Sequence, residues 1–117
     1  MKLKGTKTEK DFYDQLINQQ KYLFQEIRLL ELLRKIYPKM RTTYVLDWIP
    51  EQGEDIYTVL VNTDSVCEVE LDRYDLSVEP IVKSVKTVTA FTKGLRKLAR
   101  IKLEVAIDLA QKDMANN

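Results

Sequence analysis

The sequence predicts an α+β protein: a long N-terminal helix, a three-stranded antiparallel β-meander and a long C-terminal helix, with both helices on one face of the sheet. Three observations carry this. Apolar residues recur at helical spacing before Pro38 and after Thr87, they alternate at period two between Thr43 and Asp72, and turn residues separate the alternating runs. With 117 residues the chain reads as a single domain over residues 1–117, able to bury a core without disulfides or a metal.

Residues 1–7 read as a mobile basic leader. Thr8 reads as the first N-cap, because Thr8-Glu9-Lys10-Asp11 resembles a capping box with Asp in place of Glu at N3. Glu9 and Asp11 also suit the positive end of a helix dipole. The helix is expected to run to about Tyr37, with Arg34 and Lys35 in its last turn and Pro38 as its stop. Phe12, Leu16, Leu23, Ile27 and Leu30 make a narrow stripe. Further on, seven of the eleven residues 27–37 are apolar. Their arc is roughly 220°, about twice the ~100° of a single core-facing stripe. A second helix or another subunit is needed to cover the extra flank.

The meander follows. Tyr44, Leu46 and Trp48 alternate in the first run, Tyr57, Val59 and Val61 in the second, and Cys67, Val69 and Leu71 in the third. Pro50-Glu51-Gln52-Gly53-Glu54-Asp55 is a hairpin loop in which Gly53 supplies a positive φ, and a second tight turn falls at 62–65. The other face carries Glu68, Glu70 and Asp72 beside Val45, Ile49, Ile56 and Leu60. Such a face is not cleanly polar, so part of it meets another chain segment or a partner.

Residues 78–87 are compatible with strand, loop or helix. Ile81, Val85, Val88, Phe91 and Leu95 keep helical spacing, while the Val and Thr content favours a strand. The reading adopted is a loop or short strand, then Thr87 as N-cap and a helix over 88–114. Gly94 inside that helix costs about 1 kcal/mol relative to Ala. The apolar residues of 95–110 span roughly 240° of the wheel, again wider than one packing layer uses. Residues 115–117 are expected to fray.

Charge is distributed unevenly. Residues 47–79 hold ten of the eighteen acidic residues and one basic residue, Arg73, a net of −9. The segments before and after carry +5 each, and the whole chain +1. Such asymmetry speaks to partners and steering. Glu51, Glu54 and Asp55 fall on the hairpin loop, Asp64 on the next turn, and Glu68, Glu70 and Asp72 at alternate positions of one strand. Such a row repels itself unless a basic partner faces it. A counterpart lies near the C-terminus, where Lys86, Lys93, Lys97 and Arg100 would fall within about 60° of one helix wheel and offer a stripe for a phosphate backbone.

Several classes are disfavoured. There is no histidine, and three glycines cannot form a phosphate-cradling loop of known spacing. One cysteine, Cys67, rules out an internal disulfide and a paired-Cys zinc site. No apolar run reaches the ~18 residues that read as a membrane span, and the basic N-terminus has no apolar signal core. The expectation is a cytoplasmic, non-catalytic chain with no cofactor, no metal and no membrane partner. The functional expectation is an inhibitor, immunity or adaptor protein whose acidic hairpin surface engages a basic protein. The alternatives are a nucleic-acid-binding module using the basic stripe, or a structural subunit. The wide apolar arcs favour a homodimer or higher oligomer.

Overall fold

The structure, a computed structural model, describes residues 6–116. The leader expected over 1–7 lies largely outside these residues, but Thr6 and Lys7 already belong to the first helix. Helix α1 spans Lys7–Gln25, and its cap is Thr6, whose Oγ1 accepts the Glu9 N–H at 3.1 Å. Two capping frames overlap here, and the one with Glu at N3 prevails over the Thr8 frame.

The long first helix breaks. Glu26 leaves helical geometry (φ −87°, ψ 86°), and α2 restarts at Ile27–Ile36, stopping before Pro38 as expected. The break resolves the wide apolar arc. Leu16 of α1 packs with Tyr44, Leu46, Leu60 and Val66 on one side of the sheet. Leu29 and Leu33 of α2 pack with Val45, Val59, Val61, Cys67, Val69 and Leu71 on the other. We call these sides A and B. Gln20 Nε2 donates to the Thr43 carbonyl at 3.0 Å, tying α1 to the start of the first strand.

The sheet has four antiparallel strands in order β1 (Thr43–Pro50), β2 (Glu54–Val61), β3 (Ser65–Asp72) and β4 (Ile81–Thr87). The expected meander is therefore one strand short, because Ile81–Thr87 pairs with β3 and strand propensity prevails over helical spacing. Gly53 (φ 90°) makes the first turn as expected, and Asn62 (φ 53°) the second. Asn62 Oδ1 accepts the backbone N–H groups of Arg41 and Thr42, which offsets its unusual conformation.

A bulge at Leu46 changes which residues of β1 share a side. Val45 pairs with Val59 but Asp47 with Thr58, so one extra residue is accommodated between them. Trp48 consequently faces side B, opposite Tyr44 and Leu46, instead of sharing their face.

Thr87 does cap a helix, accepting the Ala90 N–H at 3.1 Å. That helix, α3 (Val88–Thr92), is only five residues long. The chain turns through 93–96, including Gly94, and α4 runs over Lys97–Ala115. The single helix expected over 88–114 is thus two. Ala115 is helical and Asn116 is the C-cap, so of the expected frayed tail only Asn117 lies outside the described residues. Helices α1 and α4 pack on each other and on β1, as expected of the two terminal helices, while α2 takes the opposite side. Among the described residues no helix is long and apolar enough to cross a membrane.

Candidate functional site

Strand β1 changes character at its midpoint. Residues 43–46 are buried and 47–50 are exposed. Helices α1 and α4 cover the first half on side A, and the hairpin end projects beyond them. Cross-strand pairing defines what that end presents. One row on side A reads Ile49, Ile56, Glu70, Ile81, and the next reads Asp47, Thr58, Glu68, Ser84. Glu54 and Asp72 form a third, shorter row. Ile49 and Ile81 are about half exposed. The surface is a half-sheet of carboxylates interrupted by three isoleucines.

Four of the seven expected acidic residues, Glu54, Glu68, Glu70 and Asp72, meet on this half-sheet. Two of them have internal duties: Glu70 pairs with Lys83 at 3.4 Å, and Asp72 Oδ1 accepts the N–H groups of Tyr74 and Asp75. Asp55 faces side B, where it binds Arg73 at 2.9 Å. The same guanidinium donates to the carbonyls of Glu51 and Glu54, so Arg73 clamps the loop. Glu51 is exposed at the tip. Asp64 does not belong to the group. It sits on the far turn, separated by the eight residues of β2, a length of roughly 25 Å. Asp47 joins the acidic rows because the bulge places it beside Thr58. Among the described residues no three carboxylates converge to hold a metal ion.

The basic stripe does not form as expected. Lys86 lies on β4, Lys93 in the turn after α3, and only Lys97 and Arg100 share α4. Arg100 Nε donates to the Leu95 carbonyl at the α3–α4 elbow. Beneath that elbow, a cavity of about 480 Å³ holds Lys102 among Phe12, Phe91 and Leu103, with Asp47 at its edge. Burial pushes the Lys102 pKa down, against the pull of Asp47. Its ammonium stands 6.0 Å from the Phe12 ring centroid.

Side B of the hairpin end carries a second feature. Tyr22 of α1, Trp48 of β1 and Tyr57 of β2 line a cleft of about 340 Å³ with Gln19, Leu23 and Val45. Trp48 and Tyr57 stack with ring centroids 6.3 Å apart and planes 18° apart. Tyr22 is 71% exposed and Trp48 47%. Burial raises the Tyr57 pKa, with Asp55 and Glu26 adding to the rise and Arg28 and Arg73 opposing it. The aromatic run around Leu23 predicts at least one exposed ring, and both Tyr22 and Phe24 are exposed. The cleft itself joins three distant segments and depends on the bulge that turns Trp48 over, so no local pattern announces it.

The opposite end of the sheet is closed. Asp113 of α4 accepts hydrogen bonds from Thr42 Oγ1 (2.7 Å) and the Tyr44 hydroxyl. Burial, then this bond, push the Tyr44 pKa up to about 12. Tyr37 is likewise pushed up to about 12 by burial and by Cys67. Cys67 is fully buried in the side B core, and burial raises its own pKa, which suits an inert thiol. The chain matches no protein-family model, no curated protein and no solved structure.

Proposed function

We propose that this chain is a non-catalytic protein-binding protein of the inhibitor, immunity or adaptor type, holding a basic macromolecule at the hairpin end of its sheet. The observation that supports this best is the uncovered half-sheet on side A. Glu54 and Glu68 stand there and form no ion pair with a lysine or arginine among the described residues, while Asp47 beside them shares the cavity beneath the α3–α4 elbow with Lys102 and acts on its charge. Like charges left together on a bare sheet repel one another, and a cationic partner relieves that repulsion. The intervening isoleucines supply apolar contact. Carboxylates around them steer the encounter and raise the association rate.

The corresponding experiment neutralises three carboxylates together, as Asp47→Asn, Glu54→Gln and Glu68→Gln; the amide oxygen of Asp47→Asn can still accept the Trp48 N–H that Asp47 Oδ1 accepts at 3.0 Å. Binding to partners captured from the source cells is then measured across a salt series. Association at least tenfold slower, with a flatter salt dependence, is expected. An unchanged rate would remove the acidic half-sheet from consideration. Salt-sensitive binding to nucleic acid, lost on replacing Lys93, Lys97 and Arg100 by Gln, would favour the nucleic-acid alternative instead.

A second reading concerns self-association. Strand β4 is an outer edge of the sheet, and Leu76, Val78, Ile81, Val82 and Val85 are exposed on it or just before it. Exposed apolar edges favour pairing with another strand. Sedimentation of the wild type against Val82→Lys/Val85→Lys tests this. A dimer that the substitutions dissociate supports it, and a monomeric wild type removes it.

A further inference from the structure

We infer that the cleft between Tyr22 and Trp48 seats an arginine side chain of the basic partner. This inference rests on the proposed function and names the chemistry of its anchor. Three observations converge on a guanidinium.

The first is the wall. Tyr22 and Trp48 project from different elements around one space, and Tyr57, stacked on Trp48, continues its wall. A planar, weakly hydrated cation fits such faces, whereas an ammonium surrenders strong hydration to enter a mostly apolar cleft. The second is Gln19. Its Oε1 is enclosed and accepts no hydrogen bond among the described residues, although its side chain lines the cleft. Rotation of the amide about its Cγ–Cδ bond presents that oxygen to an incoming N–H, and a guanidinium carries five. The third is charge. Glu26 and Asp55 act on Tyr57 from one side of the balance, Arg28 and Arg73 from the other. Glu26 pairs with Arg28 at 3.2 Å and Asp55 with Arg73 at 2.9 Å, and Glu51 at the exposed hairpin tip adds one carboxylate that forms no ion pair among the described residues. A neutral ring gains nothing from that unpaired charge, but a cation does.

Side A and the cleft lie on opposite faces of one projecting hairpin. A partner that grips this end therefore meets the acidic rows with one part of its surface and the aromatic cleft with another.

The test uses capped octa-arginine and octa-lysine at equal ionic strength, with fluorescence from Trp48, the single tryptophan, as one readout and calorimetry as the other. Octa-arginine is expected to bind about tenfold more tightly than octa-lysine and to change Trp48 emission. Tyr22→Ala, at an exposed position where the fold is spared (checked by melting), should lower octa-arginine to the octa-lysine affinity and leave octa-lysine unchanged. Equal affinities in the wild type, or a preference that survives Tyr22→Ala, would overturn the inference. If equal affinities both fall in the Asp47→Asn/Glu54→Gln/Glu68→Gln variant, the acidic half-sheet stands and only the arginine anchor fails. If neither peptide binds, or the triple variant binds both normally, the proposed function fails with it. Saturation of the cleft by p-cresol, without any arginine preference, would reassign it to a neutral ring and also overturn the inference.

Discussion

The two ends of the sheet are built from the same strands and treated in opposite ways. At the closed end, Tyr44, Leu46, Leu60 and Val66 lie beneath α1 and α4, with Val45, Val59, Val61 and Cys67 packed against α2 and the end of α1. Asp113 there receives hydrogen bonds from Thr42 and Tyr44. At the hairpin end the same strands continue into Asp47, Ile49, Ile56, Glu68 and Glu70, with no helix packed over most of them. On side A packing is concentrated at one end and surface chemistry at the other, while on side B Val69 and Leu71 carry the core beneath α2 towards the hairpin end. A small chain can thus present a poorly compensated charged surface, because the cost is borne by a core that this surface does not help to form.

If that division is right, substitutions should separate by end. The largest effect belongs to Leu60→Ala, which empties a fully buried site of side A and should cost about 2–5 kcal/mol in denaturant unfolding. Ile49→Ala, at a half-exposed site of the hairpin end, should cost less than about 1 kcal/mol. A similar loss at both positions would break the comparison.

Next comes alkaline pH. The folded pKa values of Tyr37 and Tyr44 are both pushed up to about 12, above the unfolded value near 10. The neutral hydroxyls are therefore favoured by folding. Their contribution is complete below pH about 10 and is lost as pH rises towards about 12. The denaturation midpoint should fall across that window, and Tyr44→Phe should make the fall shallower. At neutral pH the same substitution removes a hydrogen bond to a carboxylate, a loss of about 1.5–3 kcal/mol. A midpoint independent of pH over this range would place the instability elsewhere.

Arg73→Ala should act locally. It removes the clamp on the Glu51 and Glu54 carbonyls and on Asp55. Amide exchange should accelerate through 51–57 and stay unchanged at 59–61, where the core holds β2. The smallest effect is expected from Glu68→Gln, within about 0.5 kcal/mol and towards stabilisation, since it relieves repulsion without opening a cavity. A clear loss of stability would mean that Glu68 has a structural duty.

The closed end was the more legible of the two in the sequence. Pro38 stops α2, Thr87 caps α3 and the tight turn of 62–65 forms at Asn62, each through a local preference that tertiary contacts do not override. The wide apolar arc of 27–37 signalled a second packing surface. It did not show that the helix would break at Glu26, where neither Gly nor Pro marks the kink. Period two placed Glu68, Glu70 and Asp72 on one face correctly. It could not place Asp47 or Trp48, because the extra residue at Leu46 inverts the alternation of β1 partway along. The cleft of Tyr22, Trp48 and Tyr57 follows from that inversion together with the path of α1. Both are tertiary facts, and no spacing in the chain encodes them locally.

The most direct test is a map of amide chemical shifts as octa-arginine is added to ¹⁵N-labelled protein. The predicted result is a saturable set of changes at Tyr22, 47–57 and 68–72, with the closed end silent. Changes centred on Asp113 and Tyr44, on the β4 edge or on the α3–α4 elbow would contradict the assignment of function to the hairpin end.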